Sequence, residues 1–276
     1  MSTPTLILHH YTTSPFSEKV RLILGAKQLA WKSVSVPAIM PKPDVLALTG
    51  GYRKTPFLQV GADIYCDTAL IADVLEHVQP EPALYPPPLK GVSRVFAQWA
   101  DSTLFWASMA YNLSPRGAAE MFAGAPPEAA RAFAEDRKAM SGGMTRLRPG
   151  DAASAYRSYL RRIAHMAEEH DFLFGAAPCI ADFAAYHPLW FTRTRVPGMA
   201  PILDATPAVL EWMDRVAALG HGRMEKFSAT DAITVAAGME PLPLTDDVFQ
   251  DEHGIPLGSQ VTIAAESFGT EPTEGE

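Results

Sequence analysis

Cysteine is scarce in this chain: two among 276 residues, Cys66 and Cys179, far apart and in unlike surroundings. That count gives no disulfide framework and no cysteine pair for a metal, and it suits a reducing compartment. Basic charge is also in short supply, with 23 Lys and Arg against 31 Asp and Glu and a net charge of −8. A nucleic-acid binder needs a basic face to neutralise phosphates, so nucleic acid is not an expected partner; an anionic membrane surface is disfavoured for the same reason. No apolar run is long enough to span a bilayer. The opening segment MSTPTLILHHY lacks the basic stretch and long apolar core of a secretory signal, so the expected location is cytoplasmic. No internal repeat is evident. What the chain does have is apolar content, 47% hydrophobic against 20% charged, which supplies a sizeable core and excludes global disorder. The length admits two modest domains.

Residues 5–11 have the short, apolar character of a buried strand, and 17–29 read as a helix. Val20, Ile23 and Leu24 share one face of that helix, with Glu18, Lys19, Arg21 and Lys27 around its other sides. Trp31–Val36 reads as a second strand and Asp44–Leu48 as a short helix. Beyond Gly50-Gly51, Pro56–Val60 and Ile64–Cys66 form a hairpin about the turn Gly61-Ala62-Asp63, and 67–78 resume helical spacing. This order suits a small α/β domain with a mixed sheet. The Pro-rich segment QPEPALYPPPLK (79–90) reads as a linker. Helical patterns then cover 92–113, 153–170, 180–194, 207–219 and 228–239, with Ser228 and Asp231 spaced as a cap. The stretch GGMTRLRPGDA (142–152) reads as a surface loop, and the tail is Pro-, Gly- and acid-rich with one strand-like run at Gln260–Ala264. The expected division is 1–80, a linker at 81–90, a helical domain over 91–239 and an extension over 240–276.

Three short motifs carry chemistry. Ser14-Pro15-Phe16 stands at the turn into the first helix, where unpaired backbone N–H groups and the helix dipole favour an anion such as a thiolate. A serine there is either a helix cap or a hydrogen-bond donor to a substrate's sulfur. Thr55-Pro56 follows Arg53-Lys54 and opens a strand, a position that proline tolerates only at a first or edge residue. Cys66-Asp67-Thr68 begins a helix, and either Asp67 or Thr68 suits its cap.

The order and spacing of these motifs resemble the cytosolic glutathione transferases, over roughly residues 5–225. SPFSEKVRLIL (14–24) is similar to the Ser-Pro-Phe form of the tau class, and to the Cys-Pro-Phe form of the omega class with serine in the cysteine's place. The resemblance implies a thioredoxin-like α/β N-terminal domain, an all-α helical-bundle C-terminal domain, and glutathione as co-substrate with no metal. It implies that Ser14 contacts the glutathione sulfur and that Lys42, with Lys54 or Arg53, meets the glycine carboxylate. Thr55 beside Pro56 would hold the cysteinyl backbone, and Asp67 with Thr68 the γ-glutamyl end. The first long helix of the second domain lines the hydrophobic site in that family, which brings in Phe105, Trp106, Met109 and Tyr111, with Tyr11 and Phe16 at its border. A homodimer and a detoxifying attack on a small hydrophobic electrophile are implied as well. The resemblance extends to Pro178-Cys179-Ile180-Ala181-Asp182, where Cys179 stands in a position usually held by Ser or Thr. Asp182 still caps the backbone there, and Cys179 reads as a buried structural residue rather than a nucleophile.

Two alternatives stand beside the transferase reading: a non-catalytic binding or assembly module on the same fold, and a glutathione-dependent thiol reductase. Serine at both 14 and 17 removes the dithiol that the reductase would use. His9-His10 is not read as a metal pair, because neighbours in a strand point to opposite faces. The tail has no counterpart in the resemblance. It forms either a small β element or a partly disordered arm.

Overall fold

The computed structural model describes residues 4–145, 147–243 and 250–276. Residues 1–3 of the expected first domain, Arg146 of the expected loop and residues 244–249 of the expected tail lie outside the described set. The first half runs β1 (Leu6–His10), α1 (Pro15–Ala26), β2 (Ala30–Ser35), α2 (Pro43–Thr49), β3 (Phe57–Val60), β4 (Asp63–Cys66) and α3 (Thr68–Val78), close to the sequence expectation. β1 and β2 are parallel, while β3 and β4 run antiparallel to their neighbours, so the sheet is mixed. The helical half contributes α4 (Lys90–Trp99), α5 (Phe105–Asn112), α6 (Pro115–Met121), α7 (Pro127–Met140), α8 (Pro149–Glu169), α9 (Ile180–Trp190) and α10 (Pro207–Ala217). A π-helical stretch, Ala100–Leu104, joins α4 to α5.

One apolar core runs through both halves. Leu6, Leu8 and Leu58 from the sheet meet Val20, Ile23 and Leu24 of α1, and the cluster continues to Phe183 of α9 and Trp212 of α10. That continuity corrects the expectation for α1, whose charged residues are buried rather than outward-facing. Glu18, Lys19, Arg21 and Lys27 are each less than 6% exposed, because α1 lies between the sheet, α3 and α9. Each has found a partner. Lys19 Nζ donates to Asp101 at 2.5 Å, Arg21 pairs with Glu18 at 2.6 Å, and Lys27 with Glu76 at 2.6 Å. A buried charge needs such pairing, since an unpaired one loses its hydration without return.

The chain comes back to the sheet after α10. β5 (Arg223–Lys226) pairs parallel to β2 and gives the order β4-β3-β1-β2-β5. α11 (Ala229–Ala237) then covers the sheet's second face, with Ala232 against Ile7, Val34, Val36, Val45 and Phe57. These residues were grouped with the helical domain from sequence; their contacts belong to the first. Close approach at α1 admits the return, since a Cβ on Gly25 would stand 1.9 Å from the Gly220 carbonyl oxygen. Ser228 caps α11 as expected, its Oγ accepting from Asp231 N–H at 3.0 Å.

The tail forms a small hairpin, β6 (Val261–Ile263) with β7 (Thr273–Gly275). The intervening segment crosses to the first domain and to α7. His9 and His10 take part in packing: His9 stacks on Phe57 and bonds to Gln59, while His10 bonds to Ser33 and Arg21. Burial lowers both imidazoles to about 4, so they are neutral at pH 7.

Candidate active site

A cleft of about 690 Å³ opens between the ends of the first domain's strands and the helical half. Its polar wall comes from the first domain. Ser14 stands at the N-terminus of α1, Lys42 just before α2, Arg53 to Pro56 before β3, and Asp67 with Thr68 at the start of α3. The apolar wall is made by Tyr11 and Phe16 together with Phe105, Trp106 and Met109 of α5. Beneath it, Phe105 and Met109 pack with Phe191, Val196 and Met199. Another depression, about 590 Å³ near Glu168–Asp171 and Glu211, shares no lining residue with the cleft.

Of the residues singled out from the sequence, Tyr111 alone lies off the cleft. Its hydroxyl donates to the Met199 carbonyl at 3.2 Å and its ring packs 5.7 Å from Tyr156. It sits on the side of α5 that meets α8, which an isolated helical stripe does not reveal.

Ser14 is buried and extended in backbone (φ −76°, ψ 126°), and its Oγ accepts from Ser17 N–H at 3.2 Å. The cap uses a lone pair, so the hydroxyl proton stays available for a second partner. The Thr55-Pro56 peptide is cis. Thr55 Oγ1 accepts from Lys42 Nζ at 3.1 Å, and Lys42 also donates to the Arg53 carbonyl at 3.2 Å. An ammonium has three donors, so Lys42 keeps one for a ligand. Burial, then the Arg137 and Arg53 charges, bring Lys42 down to about 8.

Arg53 lines the cleft and also ties it to the helical half. It pairs with Asp136 of α7 and, at 2.8 Å, with Glu271 of the tail. Each carboxylate takes one of the five guanidinium N–H donors, so Arg53 joins the first domain, α7 and the tail while its Nε keeps an unused donor. Lys54 Nζ donates to the Phe268 carbonyl at 3.1 Å. At the other end of the cleft, Asp67 caps α3 by accepting from Ala69 N–H at 2.8 Å. Thr68 Oγ1 accepts from Lys19 Nζ at 3.2 Å. Lys19 carries on to Asp101, which also meets His187 at 3.0 Å. Burial pushes the Asp101 carboxyl up, but Lys19 and His187 outweigh it and hold the group below the usual carboxylate range.

Sequence reasoning missed Asp101, Asp136, Arg137 and Phe268, all of which bear on the cleft. Arg137 donates to Ala38 O at 2.9 Å and to Tyr11 Oη at 3.4 Å, fixing the tyrosine against the cleft's edge. Asp136-Arg137 lay in a stretch with no apolar periodicity, and Asp101 in a turn wider than an α-helix.

The N-terminal domain profile of glutathione S-transferases matches residues 8–83, and the C-terminal domain profile matches residues 122–215. A solved structure of a GST-like protein from Pseudomonas syringae is 41% identical, with 99% of this chain and 87% of that chain covered and a TM-score of 0.80. The chain belongs to the glutathione S-transferase family. More distant members share the fold. A tau class glutathione S-transferase from mango is 15% identical with a TM-score of 0.58, covering 86% of this chain and 98% of that one. A beta-etherase from Sphingobium is 20% identical with a TM-score of 0.54, covering 78% and 88%. No curated protein matches the chain significantly. Because the Pseudomonas match covers 99% of this chain, the likeness takes in the C-terminal extension, where the sequence alone offered no relative. No helix among the described residues is long and apolar enough to cross a membrane.

Proposed function

We propose that the protein is a glutathione transferase that activates the glutathione thiol for attack on a small hydrophobic electrophile. The observation that carries this reading is the joining of Ser14, the Thr55-Pro56 pair and the Asp67-Thr68 pair in one cleft whose opposite wall is aromatic. Glutathione lies along the polar wall, its glycine carboxylate at Lys42 and its γ-glutamyl end at Asp67 and Thr68. The thiol loses its proton to solvent, and the Ser14 hydroxyl with the start of α1 stabilises the sulfur anion. The sulfur then forms a C–S bond to the electrophilic carbon, and the leaving group departs with its electron pair. Lowering the thiol by one to two pKa units is worth about 1.4 to 2.8 kcal/mol, and holding both reactants together supplies more. Retention on immobilised glutathione with elution by the free tripeptide is the expected result; a chain that passes straight through is a binding module, not a transferase.

Neither cysteine supports a reductase. Burial, reinforced by Asp67, raises the Cys66 thiol to about 11, and burial raises Cys179 to about 12. A thiol must ionise to attack a disulfide, and neither lines the cleft.

Lys42 gives a pH test. Its charge is lost as pH rises through about 8 in the free protein, whereas an ordinary lysine stays charged to about 10. S-methylglutathione, which has no thiol to titrate, is therefore expected to bind more weakly above pH 8. At neutral pH Lys42→Met weakens that binding by about tenfold, the worth of one charge-assisted hydrogen bond. Parallel pH curves for the two proteins, read by calorimetry, would remove Lys42 from the site.

The homodimer implied by the family has a candidate contact surface here. Leu70 of α3 (46% exposed) and Val92 and Val95 of α4 (49% and 69%) stand on two helices tied by the Arg94–Asp73 pair. Exposed apolar residues grouped in this way mark a contact surface. Sedimentation equilibrium is expected to give twice the chain mass, and Val95→Asp to give the single chain; an already monomeric native protein sinks the idea.

A further inference from the structure

The C-terminal extension crosses the mouth of the cleft and is anchored on both sides of it. On the first domain, Lys54 Nζ donates to Phe268 O at 3.1 Å, and Arg53 holds Glu271 at 2.8 Å. Pro272 passes so close to Gly51 that a Cβ there would stand 2.6 Å from the Pro272 carbonyl oxygen. On the helical side, Gly269 N–H donates to Met140 O at 2.8 Å at the end of α7. The crossing is shaped for this seat: Gly269 has φ +63°, where side chains are strained, and a Cβ would press on the Lys54 stem at 3.0 Å and on Met140 Cε at 3.2 Å. Between these anchors Phe268 lines the cleft, its ring 5.0 Å from that of Trp106 and inclined at 65°.

Four anchoring contacts on one short segment argue for a fixed wall. The aromatic pair it completes has a chemical preference. Edge-to-face aromatic neighbours favour a third ring over an alkyl group of similar size, because ring edges and faces carry opposite partial charge. Trp106 already meets Phe105 edge-to-face, centroids 4.9 Å apart at 72°, and Phe268 adds a second inclined ring on Trp106 from the tail.

We propose that residues 264–273 form a permanent wall of the cleft and that Phe268, set against Trp106, selects ligands bearing a planar aromatic ring. Resting on the transferase reading, the selected ligands are aromatic electrophiles, and Phe268 is a specificity-determining residue for the reaction. Its ring pairs with Trp106 and its backbone carbonyl accepts from Lys54 Nζ.

The experiment compares the full-length native protein with Phe268→Ala and Phe268→Leu. Fluorescence titration with 8-anilinonaphthalene-1-sulfonate needs no glutathione chemistry and reads the wall directly. Both variants are expected to bind this probe about three- to tenfold more weakly, the worth of one aromatic contact, with the leucine variant no better than alanine because bulk does not replace a ring. In turnover, the ratio of kcat/KM for 1-chloro-2,4-dinitrobenzene to that for iodomethane is expected to fall by a similar factor. Retention on immobilised glutathione should persist in both variants. Native probe affinity in Phe268→Ala, or full recovery in Phe268→Leu, overturns the proposal. Failure of the native protein to bind glutathione sinks the transferase reading instead, and the probe titration still decides whether Phe268 is a ring-selecting wall.

Discussion

Ser14→Ala is expected to lower kcat by about 10- to 100-fold, the loss that follows when a thiol regains one to two pKa units and its thiolate fraction falls accordingly. The KM for glutathione should change far less, because Lys42, Thr55, Asp67 and Thr68 hold the tripeptide at other points. The substitution also deletes a helix cap, since Ser14 Oγ accepts from Ser17 N–H. That costs roughly 1 kcal/mol of stability, so the assay belongs well below the melting transition. Ser14→Thr separates the two effects: it retains both the cap and a hydroxyl and should recover most of the rate. A thiol pKa for bound glutathione, read from thiolate absorbance against pH, should rise in Ser14→Ala alone. Turnover at the native rate in Ser14→Ala would falsify the sulfur contact.

Asp182→Ala is expected to be the most destabilising single change in the helical half. Asp182 is 0% exposed. One oxygen accepts from Leu173 N–H at 2.8 Å and from Trp212 Nε1 at 2.8 Å, the other from Cys179 N–H at 2.9 Å. Removing the carboxylate strands three donors in the core around α9 and α10. Each stranded donor costs about 1 to 3 kcal/mol before relaxation, so the three together remove several kcal/mol. Against a total stability of about 5 to 15 kcal/mol, that leaves a marginal protein. Urea unfolding should show the midpoint falling at an unchanged slope; a loss below about 1 kcal/mol would mean that the network does not hold this corner together.

Much of the first domain was legible because its strands are short apolar runs bounded by turn residues, and because Ser14, Pro56 and Asp67 occur in a diagnostic order. The same order marked most of the cleft. What stayed hidden had physical reasons. α7, PEAARAFAEDRKAM, is an exposed helix rich in alanine and charge, so it lacks the apolar stripe that reveals a helix, and Asp136 and Arg137 went unseen with it. β5, RMEK, is exposed along its whole length; its pairing with the open edge of β2 defines it as a strand, not its composition. Arg53 looked like a free cation because its acceptors, Asp136 and Glu271, lie 83 and 218 residues away. Tyr111 and Trp106 share one helix and one chemical character, and only the packing of α8 tells the pocket side from the core side. The charged flank of α1 misled for a related reason: its partners, Asp101 and Glu76, belong to other elements.

The late return of β5 and α11 has a consequence for how the protein is made. While the ribosome is still producing the helical half, the nascent first domain carries an unpaired β2 edge and an uncovered face at Val34, Val36 and Val45. Those surfaces close only when residues 223–237 have left the exit tunnel. Domains synthesised early ordinarily fold ahead of later ones, and unpaired edges in waiting intermediates invite aggregation. This chain therefore completes its beginning last. Its edge residues Arg223, Glu225 and Lys226 end as the charged outer rim of the sheet, a border that discourages pairing with another chain once synthesis is complete.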